Sequence, residues 1–583
     1  MQNGSPHEKD ISMNPRIEKD RQLILDAKTK GRRATVRAYL RFSGPGWLQS
    51  AITLGGGSLS SSLYLGVLVG FSFMWLQPLM MIVGIIMLSA IAYVTLSTGR
   101  RPLRAINEHV NPLLGWGWLL ASMMANIVWS LPQFALGTAA LQQNLLPHLV
   151  GVEVMPDPWG KIVVGCAILA VAITFVMLYG QGGWGVKVFE VIVKVMVATI
   201  VVCFFGVVIK MTVEGALDWS RILRGLIPNP KMLFVPAKTF TPFIAAVDSR
   251  FQSFWTNIIV GQQRDVMISA AATSVGINMT FLLPYSMLRK GWDREFRGLA
   301  IFDLSTGLFI PFVLATGCVV IASASQFHVM PAPGFLGETD VRGHVVEPAK
   351  NLIPGYNALV AARVKHEVGD AAFGRMSEAE KQRRINGLPE ADKRMAAMLV
   401  KRDAFNLADS LAPLTGKTFS HYVFGIGVLG MAMGAITMLM LINGLCFCEM
   451  LNLPARGWPQ RIGCLMVSIG VLGAFFWKQA AFWLAMPTSV FAMVLLPIAY
   501  FTFFLLMNQK TLMGNDMPRG AKRAVWNVLM AVASCVAAFG SIWSLWSRLR
   551  FTGIGIFIAF IVLAAVVHMV RSRKPSGSSP GSV

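Results

Sequence analysis

The sequence has few charged residues and especially few acidic ones. Of its 583 residues, 14% are charged and only 29 are Asp or Glu, whereas about a quarter of the residues in soluble domains carry a charge. A soluble globule with so few charges cannot cover its apolar surface. The 54% of hydrophobic residues also exclude a disordered chain. The composition therefore predicts an integral membrane protein.

Several other functional classes lack their usual signatures. The seven cysteines lie mostly within apolar segments and give no disulfide framework. The net charge of +23 comes from cations at the ends of apolar runs and in the N-terminal arm, as the positive-inside rule describes. No nucleophile–base set and no phosphate-binding Gly-x-x-x-x-Gly-Lys motif is present. We therefore expect no nucleic-acid partner, no cofactor and no enzymatic activity.

Apolar runs of about 20 residues, the length needed to cross a bilayer, recur along the chain. We count twelve, at roughly 45–70, 73–97, 114–141, 160–180, 187–210, 266–289, 298–325, 421–446, 462–478, 482–507, 524–547 and 552–570. The sequence thus predicts an all-α integral membrane protein with about 12 transmembrane helices. Lys and Arg in alternate links place both termini in the cytoplasm of a multi-pass protein in the plasma (inner) membrane, with no cleaved signal peptide.

Polar segments divide the chain into regions. We expect a cytoplasmic basic arm at 1–43, transmembrane helices at 44–329 with an interfacial insert at 212–265, an extracytoplasmic helical insert at 330–420, further transmembrane helices at 421–573 and a disordered tail at 574–583. Within the long insert, Ser377 and Glu380 fit a capping box that begins a helix. Besides the lipid bilayer and a small solute or ion, any protein partner is expected at this insert.

Two spans contain helix-breaking residues at corresponding places, the first and the sixth. The breaks are predicted at Gly55-Gly56-Gly57-Ser58 and Leu283-Pro284-Tyr285. Three consecutive glycines cost a helix about 3 kcal/mol relative to alanines, and a mid-helix proline removes a hydrogen bond. Breaks five helices apart predict an inverted repeat of two five-helix halves, with substrate between the broken helices. The alternative is that the glycines only permit close packing and that Pro284 is an ordinary kink.

At these residues the chain resembles the NRAMP family of divalent-metal transporters, over roughly 44–325 and 405–510. Gly44-Pro45-Gly46-Trp47-Leu48 resembles the Gly-Pro-Ala-Phe-Leu opening of the family's first helix, and Gly444-Leu445-Cys446-Phe447-Cys448-Glu449 its Gly-Gln-x-Val-Met-Glu ending of helix eight. The resemblance implies a LeuT-type 5+5 inverted repeat with broken helices 1 and 6. It also implies secondary transport by alternating access, with a divalent metal ion as substrate.

The resemblance also implies a site from which the family's metal-ligand side chains are missing. The ligand Asp and Asn fall on Gly55 and Ser58, the Met-Pro-His on Leu283, Pro284 and Tyr285, the carbonyl-contributing Ala on Thr280, the helix-ten Gln on Ser489, and the acidic pair of helix three near Ser130 and Gln133. With Gly56 and Gly57, these are the expected substrate-binding and coupling positions. No side chain among them is expected to be a metal ligand of the family's type.

Acidic residues are also missing from the predicted site. Only Glu190, Asp303 and Glu449 lie in or at the edge of the predicted spans, near helix ends, and Glu190 fits an ion pair or a cytoplasmic gate. Proton coupling through carboxylates would therefore lack carriers.

Two further functions remain open. One is a transporter of a carboxylate-bearing or neutral solute, bound at a half-helix N-terminus with neutral hydroxyl groups beside it. The other is a membrane sensor or scaffold that transports nothing and binds a partner through the insert at 330–420.

Overall fold

Helices account for nearly all of the part of the chain that the computed structural model describes, residues 15–180, 183–339, 343–402, 404–476 and 481–572. The α-helices are α1 (Pro15–Thr29), α2 (Arg32–Phe42), α3 (Pro45–Thr53), α4 (Gly56–Val69), α5 (Leu76–Thr98), α6 (Pro102–His109), α7 (Pro112–Ala139), α8 (Pro147–Val150), α9 (Trp159–Gly180), α10 (Gly183–Val213), α11 (Trp219–Arg224), α12 (Thr241–Ala245), α13 (Gln252–Ser274), α14 (Ile277–Arg289), α15 (Arg297–Asp303), α16 (Ile310–Phe327), α17 (Ile353–Val368), α18 (Asp370–Arg375), α19 (Glu378–Asn386), α20 (Glu390–Leu399), α21 (Ala404–Thr415), α22 (Lys417–Met450), α23 (Gly457–Leu465), α24 (Gly473–Phe476), α25 (Ala481–Met507), α26 (Lys510–Met513) and α27 (Gly520–Ser572). Short 3₁₀ segments lie at Gly70–Phe73, Pro230–Leu233, Lys238–Phe240, Ser249–Phe251, Arg294–Phe296, Met466–Leu472 and Gly514–Asp516, and π-helical segments at Ala140–Leu145 and Leu304–Phe309.

Ten helical stretches within the described ranges are long and apolar enough to cross a membrane, against the twelve predicted. The difference lies in the last third of the chain. The described part of the predicted span at 462–478, which ends at residue 476, is built from α23, a 3₁₀ segment and α24. The predicted spans at 524–547 and 552–570 together form α27, which is interrupted at Arg550 (φ 46°, ψ −128°). The all-α membrane fold is confirmed, while the predicted tail at 574–583 lies outside the described residues.

The first span is broken where the triple glycine predicts it. Helix α3 ends at Thr53 and α4 begins at Gly56, with Gly55 as its extended N-cap residue. The start of α3 is held by Asp303, whose carboxylate accepts hydrogen bonds from the backbone N–H groups of Gly44 (3.1 Å) and Gly46 (2.6 Å). A carboxylate at this end of a helix complements its free N–H groups.

The sixth span is also broken, but the predicted position is wrong. Helix α13 ends at Ser274 and α14 begins at Ile277, so the break lies at Val275-Gly276. Pro284, together with Leu283 and Tyr285, lies inside α14, which continues unbroken to Arg289. Packing accounts for the glycine at the break: a Cβ at Gly276 would lie 2.3 Å from the Trp129 ring, so only glycine fits against that ring.

The two inserts differ from their predicted extents in one respect. The segment at 212–265 was predicted to be interfacial throughout, but α13 begins at Gln252 and already belongs to the sixth span. The described part of the segment at 330–420 contains helices α17 to α21. Ser377 is the N-cap of α19, and its hydroxyl accepts a hydrogen bond from the N–H of Glu380 (3.3 Å).

The N-terminal arm and the long insert pack at opposite ends of the broken helices. Lys28 of α1 forms an ion pair with Glu295 (3.4 Å), close to the end of α14. The insert packs on the start of α13 instead, where Trp255 donates its indole N–H to Asp392 (2.6 Å). We call these two ends the arm side and the insert side.

Candidate functional site

The two helix breaks face each other across a cavity of about 30 Å³. Helices α7, α22 and α25 close its sides. The cavity is lined by Ile52, Thr53, Gly55, Gly57, Ser58, Trp129, Gln133, Thr273, Gly276, Met279, Ala435, Leu439, Thr488 and Ser489. A space of this size holds about two water molecules, since each needs roughly 10–15 Å³ by this measure.

Ser58 links the two breaks through its hydroxyl group. The hydroxyl donates to the carbonyl oxygen of Thr53, the last residue of α3, and lies 3.5 Å from the carbonyl oxygen of Thr273 near the end of α13. Both carbonyls belong to helix C-terminal ends, which carry partial negative charge. The site therefore offers two backbone oxygens and a hydroxyl at a point where the helical hydrogen-bond ladder is interrupted.

A thioether also reaches the cavity, contrary to the prediction that places Leu283 at the family's Met position. The sulfur of Met279 accepts a hydrogen bond from the Thr53 hydroxyl (3.1 Å) and one from the Gly276 N–H (3.4 Å). Met279 is 2% exposed. The shift of the break from Pro284 to Gly276 is what brings this sulfur, rather than the Leu283 side chain, into the site.

Gln133 occupies the positive end of α4. Its side-chain oxygen accepts a hydrogen bond from the backbone N–H of Gly56 (2.9 Å). Trp129, one turn earlier on α7, donates its indole N–H to the carbonyl of Thr488 (3.0 Å) and so closes another wall. The N-terminus of α4 is thus already partly satisfied by a protein acceptor.

The tight fit of this region explains its glycines. A Cβ at Gly56 would lie 2.1 Å from a methyl carbon of Leu136, and one at Gly57 would lie 2.9 Å from the Ser489 hydroxyl. Gly56 therefore permits close packing, which is the alternative role that the sequence left open for these glycines. It coexists with a true helix break at Gly55.

The predicted site residues divide into two groups. The cavity brings together Gly55, Gly57, Ser58, Gln133 and Ser489, with Gly56 directly behind them. Five other predicted residues lie elsewhere: Thr280, Leu283, Pro284, Tyr285 and Ser130 do not line the cavity. The first four were expected at the cavity because the break was predicted at Pro284. The break lies at Val275-Gly276 instead, and these four residues lie within α14.

The residues outside the cavity have structural contacts of their own. The Thr280 hydroxyl accepts from the Trp118 indole (2.9 Å), and Tyr285 stacks on Phe281 with ring centroids 4.4 Å apart. The Ser130 hydroxyl donates to the carbonyl of Ile127 (2.7 Å).

Charged groups stand apart from the cavity. Among the described residues that line it, none is ionisable, and in the described ranges no cluster of three or more His, Cys, Asp or Glu is placed to hold a metal ion. Glu190 forms an ion pair with Lys290 (2.8 Å) at the arm side. The count of three acidic residues in the spans is wrong, because the spans of the structure also contain Asp265 and Glu295.

Comparisons with known proteins agree with this architecture. The sequence profile of the Natural resistance-associated macrophage protein-like (Nramp) family matches residues 46–351 and 394–547. The metal transporter Nramp6.2 of Populus trichocarpa is 28% identical over 216 residues, which are 34% of this chain and 37% of that protein. Nramp6.1 of the same organism is 28% identical over 174 residues, 29% of this chain and 28% of that protein. The chain thus matches about a third of the length of these curated relatives.

Solved structures of the manganese transporter of Eremococcus coleocola have the same fold. One superimposes with a TM-score of 0.60 at 14% identity, covering 91% of this chain and 95% of that chain. A second, in complex with an aromatic bis-isothiourea substituted compound, gives a TM-score of 0.58 with the same coverage. The likeness confirms the LeuT-type architecture.

Proposed function

The chain belongs to the Nramp family, as its sequence motifs predicted, and from this premise we propose that it is a secondary transporter that carries a metal cation by alternating access. The observation that carries the proposal is the cavity between the two helix breaks. Broken helices at bilayer depth are tolerated only where they line a cavity or are buried in protein. In transporters with inverted repeats, substrate binds at such breaks.

The donors in the cavity suit a cation of low hydration cost. The carbonyl oxygens of Thr53 and Thr273, the Ser58 hydroxyl and the Met279 sulfur are all neutral. Small divalent ions normally need carboxylates to replace their water, and a thioether favours softer metals. We therefore propose that this site selects softer or less strongly hydrated metal ions than a site with carboxylate ligands would.

Two observations disfavour the carboxylate-bearing solute. A cavity of about 30 Å³ accommodates an ion with a water molecule but not an amino or carboxylic acid. The Gly56 N–H at the start of α4, which would attract a carboxylate, is already bonded to Gln133 (2.9 Å). The cation is accordingly the favoured cargo.

The proposed orientation places the arm side in the cytoplasm. Links on this side carry Arg101, Arg104, Lys290 and Arg294, and short cytoplasmic links are enriched in such residues. The insert side then faces outward. We propose that both termini lie on this cytoplasmic side, with the protein in the plasma (inner) membrane.

Uptake into proteoliposomes tests the proposal, with Mn²⁺, Cd²⁺, Mg²⁺ and a set of amino and carboxylic acids as probes. We expect metal uptake that depends little on a pH gradient, since none of the described residues that line the cavity is ionisable. If the protein takes up a carboxylic acid and chelators do not reduce that uptake, the substrate is a carboxylate-bearing solute and not a metal cation. If no probe is taken up, the result would favour the membrane sensor or scaffold function.

Two glycine variants tie uptake to the cavity. Gly57→Ala adds a methyl group 2.9 Å from the Ser489 hydroxyl and 3.0 Å from a Thr273 methyl, so metal affinity should fall about tenfold, or ~1.4 kcal/mol. Gly206→Ala on α10 is the matched control, because nothing lies within 4 Å of the added carbon. Equal uptake by both variants would contradict the cavity as the substrate site.

A further inference from the structure

A stripe of polar side chains leads from the central cavity along the seam between α4 and α13. Asp265, Ser269 and Thr273 are spaced four residues apart on α13, and they therefore share one face of that helix. On the facing helix, Ser58 lies 3.5 Å from the Thr273 carbonyl, and the Ser61 hydroxyl lies 2.8 Å from the Ser269 hydroxyl. Asp265 lies about 12 Å from Thr273 along the helix, at 1.5 Å per residue.

The seam ends at a second cavity on the insert side. This cavity has a volume of about 10 Å³, close to the minimum for one water molecule. It is lined by Tyr64 and Val67 of α4, Gln262 and Asp265 of α13, and Val400 and Lys401 of the insert. The insert therefore covers the outer end of the polar stripe.

Asp265 meets positive charge from two elements. Lys401 of the insert and Arg548 of α27 both act electrostatically on its carboxylate. Lys401 and Asp265 line the same outer cavity, so the ammonium and the carboxylate lie on one short passage. A cation arriving from the insert side reaches Asp265 in competition with the Lys401 ammonium.

The neighbouring residue fixes the position of Lys401. The guanidinium of Arg402 donates to the carbonyl oxygens of Phe327 (3.0 Å) and Ala397 (3.4 Å). These carbonyls lie at the C-terminal ends of α16 and α20, where a cation is favourable. Arg402 is 2% exposed and so anchors the backbone that carries Lys401.

We propose that Asp265 is the outer cation-binding residue on the path to the central cavity and that Lys401 is a tethered counter-ion through which the insert closes this path. The proposal rests on the proposed function, because it takes the cargo to be a cation. It assigns a role to the insert at 330–420 other than binding a protein partner.

Cysteine accessibility tests the closure without requiring transport. Ser61→Cys places a thiol on the stripe in the full chain, with the two exposed cysteines, Cys166 and Cys535, replaced by serine. A membrane-impermeant cationic methanethiosulfonate should modify this thiol about fivefold faster when Lys401→Ala is added, the upper range for the interaction of two charges near a protein surface. An unchanged rate would overturn the closure by Lys401.

Three further variants complete the design. Lys401→Arg should restore the slow rate, and Lys393→Ala, whose ammonium donates to the Asn386 carbonyl elsewhere in the insert, should leave it unchanged. Asp265→Asn should raise the KM for Mn²⁺ uptake about fivefold with little change in kcat. An unchanged KM overturns the cation-binding role of Asp265.

The two proposals fail in different ways. If Lys401→Ala speeds the modification of position 61 but no variant takes up metal, the closure by Lys401 is supported and the metal cargo is rejected. Metal uptake with the same modification rate and the same KM in every variant would keep the proposed function and reject this path.

Discussion

The hydroxyl of Thr53 donates a hydrogen bond of 3.1 Å to the sulfur of Met279, and this contact joins the end of α3 to the first turn of α14. Both residues line the central cavity. The contact therefore couples the two halves of the inverted repeat at the point where substrate would bind. It also supplies the one soft donor among the cavity residues that the structure describes.

Replacing this sulfur should change metal selectivity more than stability. Met279→Leu preserves volume, so the cost in packing should stay below about 1.5 kcal/mol. Loss of the thioether should weaken Cd²⁺ binding about tenfold and Mn²⁺ binding much less, because soft metals favour sulfur. Competition between the two metals in proteoliposome uptake measures this difference.

The matched control for this change is another methionine of the same helix. Met287→Leu lies two turns further along α14, fully buried and outside the cavity. It should leave both affinities unchanged. A similar loss of Cd²⁺ binding in both variants would show that Met279 acts through packing rather than as a donor.

The sequence predicted one helix break correctly and the other incorrectly, for a physical reason. Three adjacent glycines disfavour helix locally, whatever surrounds them, so the break at Gly55 is visible in the sequence. Pro284 looked like the second break, yet α14 tolerates it, as membrane helices often tolerate proline. The actual break at Val275-Gly276 lies where Trp129 of α7 packs against Gly276, a tertiary contact that the local sequence does not reveal.

The same error concealed two chemically important residues. Met279 enters the cavity only because α14 begins at Ile277. Asp265 enters a span only because α13 begins at Gln252 rather than at residue 266. Family motifs and apolar runs predicted the architecture. The positions of the cation-binding groups depend on where α13 and α14 begin, and the local sequence does not reveal these helix ends.

A carboxylate at position 133 should convert the neutral site into a charged one. Gln133→Glu retains an oxygen that can accept from the Gly56 N–H and adds a negative charge beside the cavity. Mn²⁺ affinity should rise about tenfold, as expected for a nearby charge in a partly shielded site. Calorimetric Mn²⁺ titration at neutral and acidic pH measures it, because affinity should now fall as the carboxylate is protonated.

A second glutamine controls for the added charge itself. Gln77→Glu places a carboxylate beside Ser62, to which Gln77 donates a 2.8 Å hydrogen bond, and outside the cavity. Mn²⁺ affinity should stay at the wild-type value. A rise as large as that of Gln133→Glu would mean that net charge, rather than position, controls binding.

His328 should make stability depend on pH. Burial lowers the pKa of its imidazole below the ordinary 6.5; the hydrogen bond to the Val67 carbonyl opposes this change, and the charge of Arg221 adds to it. Because the folded state disfavours the protonated ring, stability is fully present above 6.5 and is lost as pH falls from there through the folded-state pKa. The melting temperature should drop between about pH 7.5 and about pH 5.5.

Variants separate this histidine from the other titrating groups. His328→Gln, measured by thermal unfolding in detergent, should show a smaller drop in melting temperature over the same pH interval. His148→Gln, on the exposed helix α8, should behave like the wild type. A drop of equal size in all three proteins would assign the acid sensitivity to other residues.

The attachment of the insert to α13 depends on one buried carboxylate, that of Asp392. Its oxygen accepts from Arg363 (2.9 Å) and from the Trp255 indole (2.6 Å), and both charged side chains are at most 2% exposed. Asp392→Ala should cost about 3–5 kcal/mol, because it removes the buried partner of a buried cation. Glu367→Ala removes the other, 45% exposed partner of Arg363 and should cost at most about 1 kcal/mol. Hydrogen exchange should show lost protection in α17 and α20 for the first variant only; equal protection in both would mean that apolar packing, rather than this ion pair, holds the insert in place.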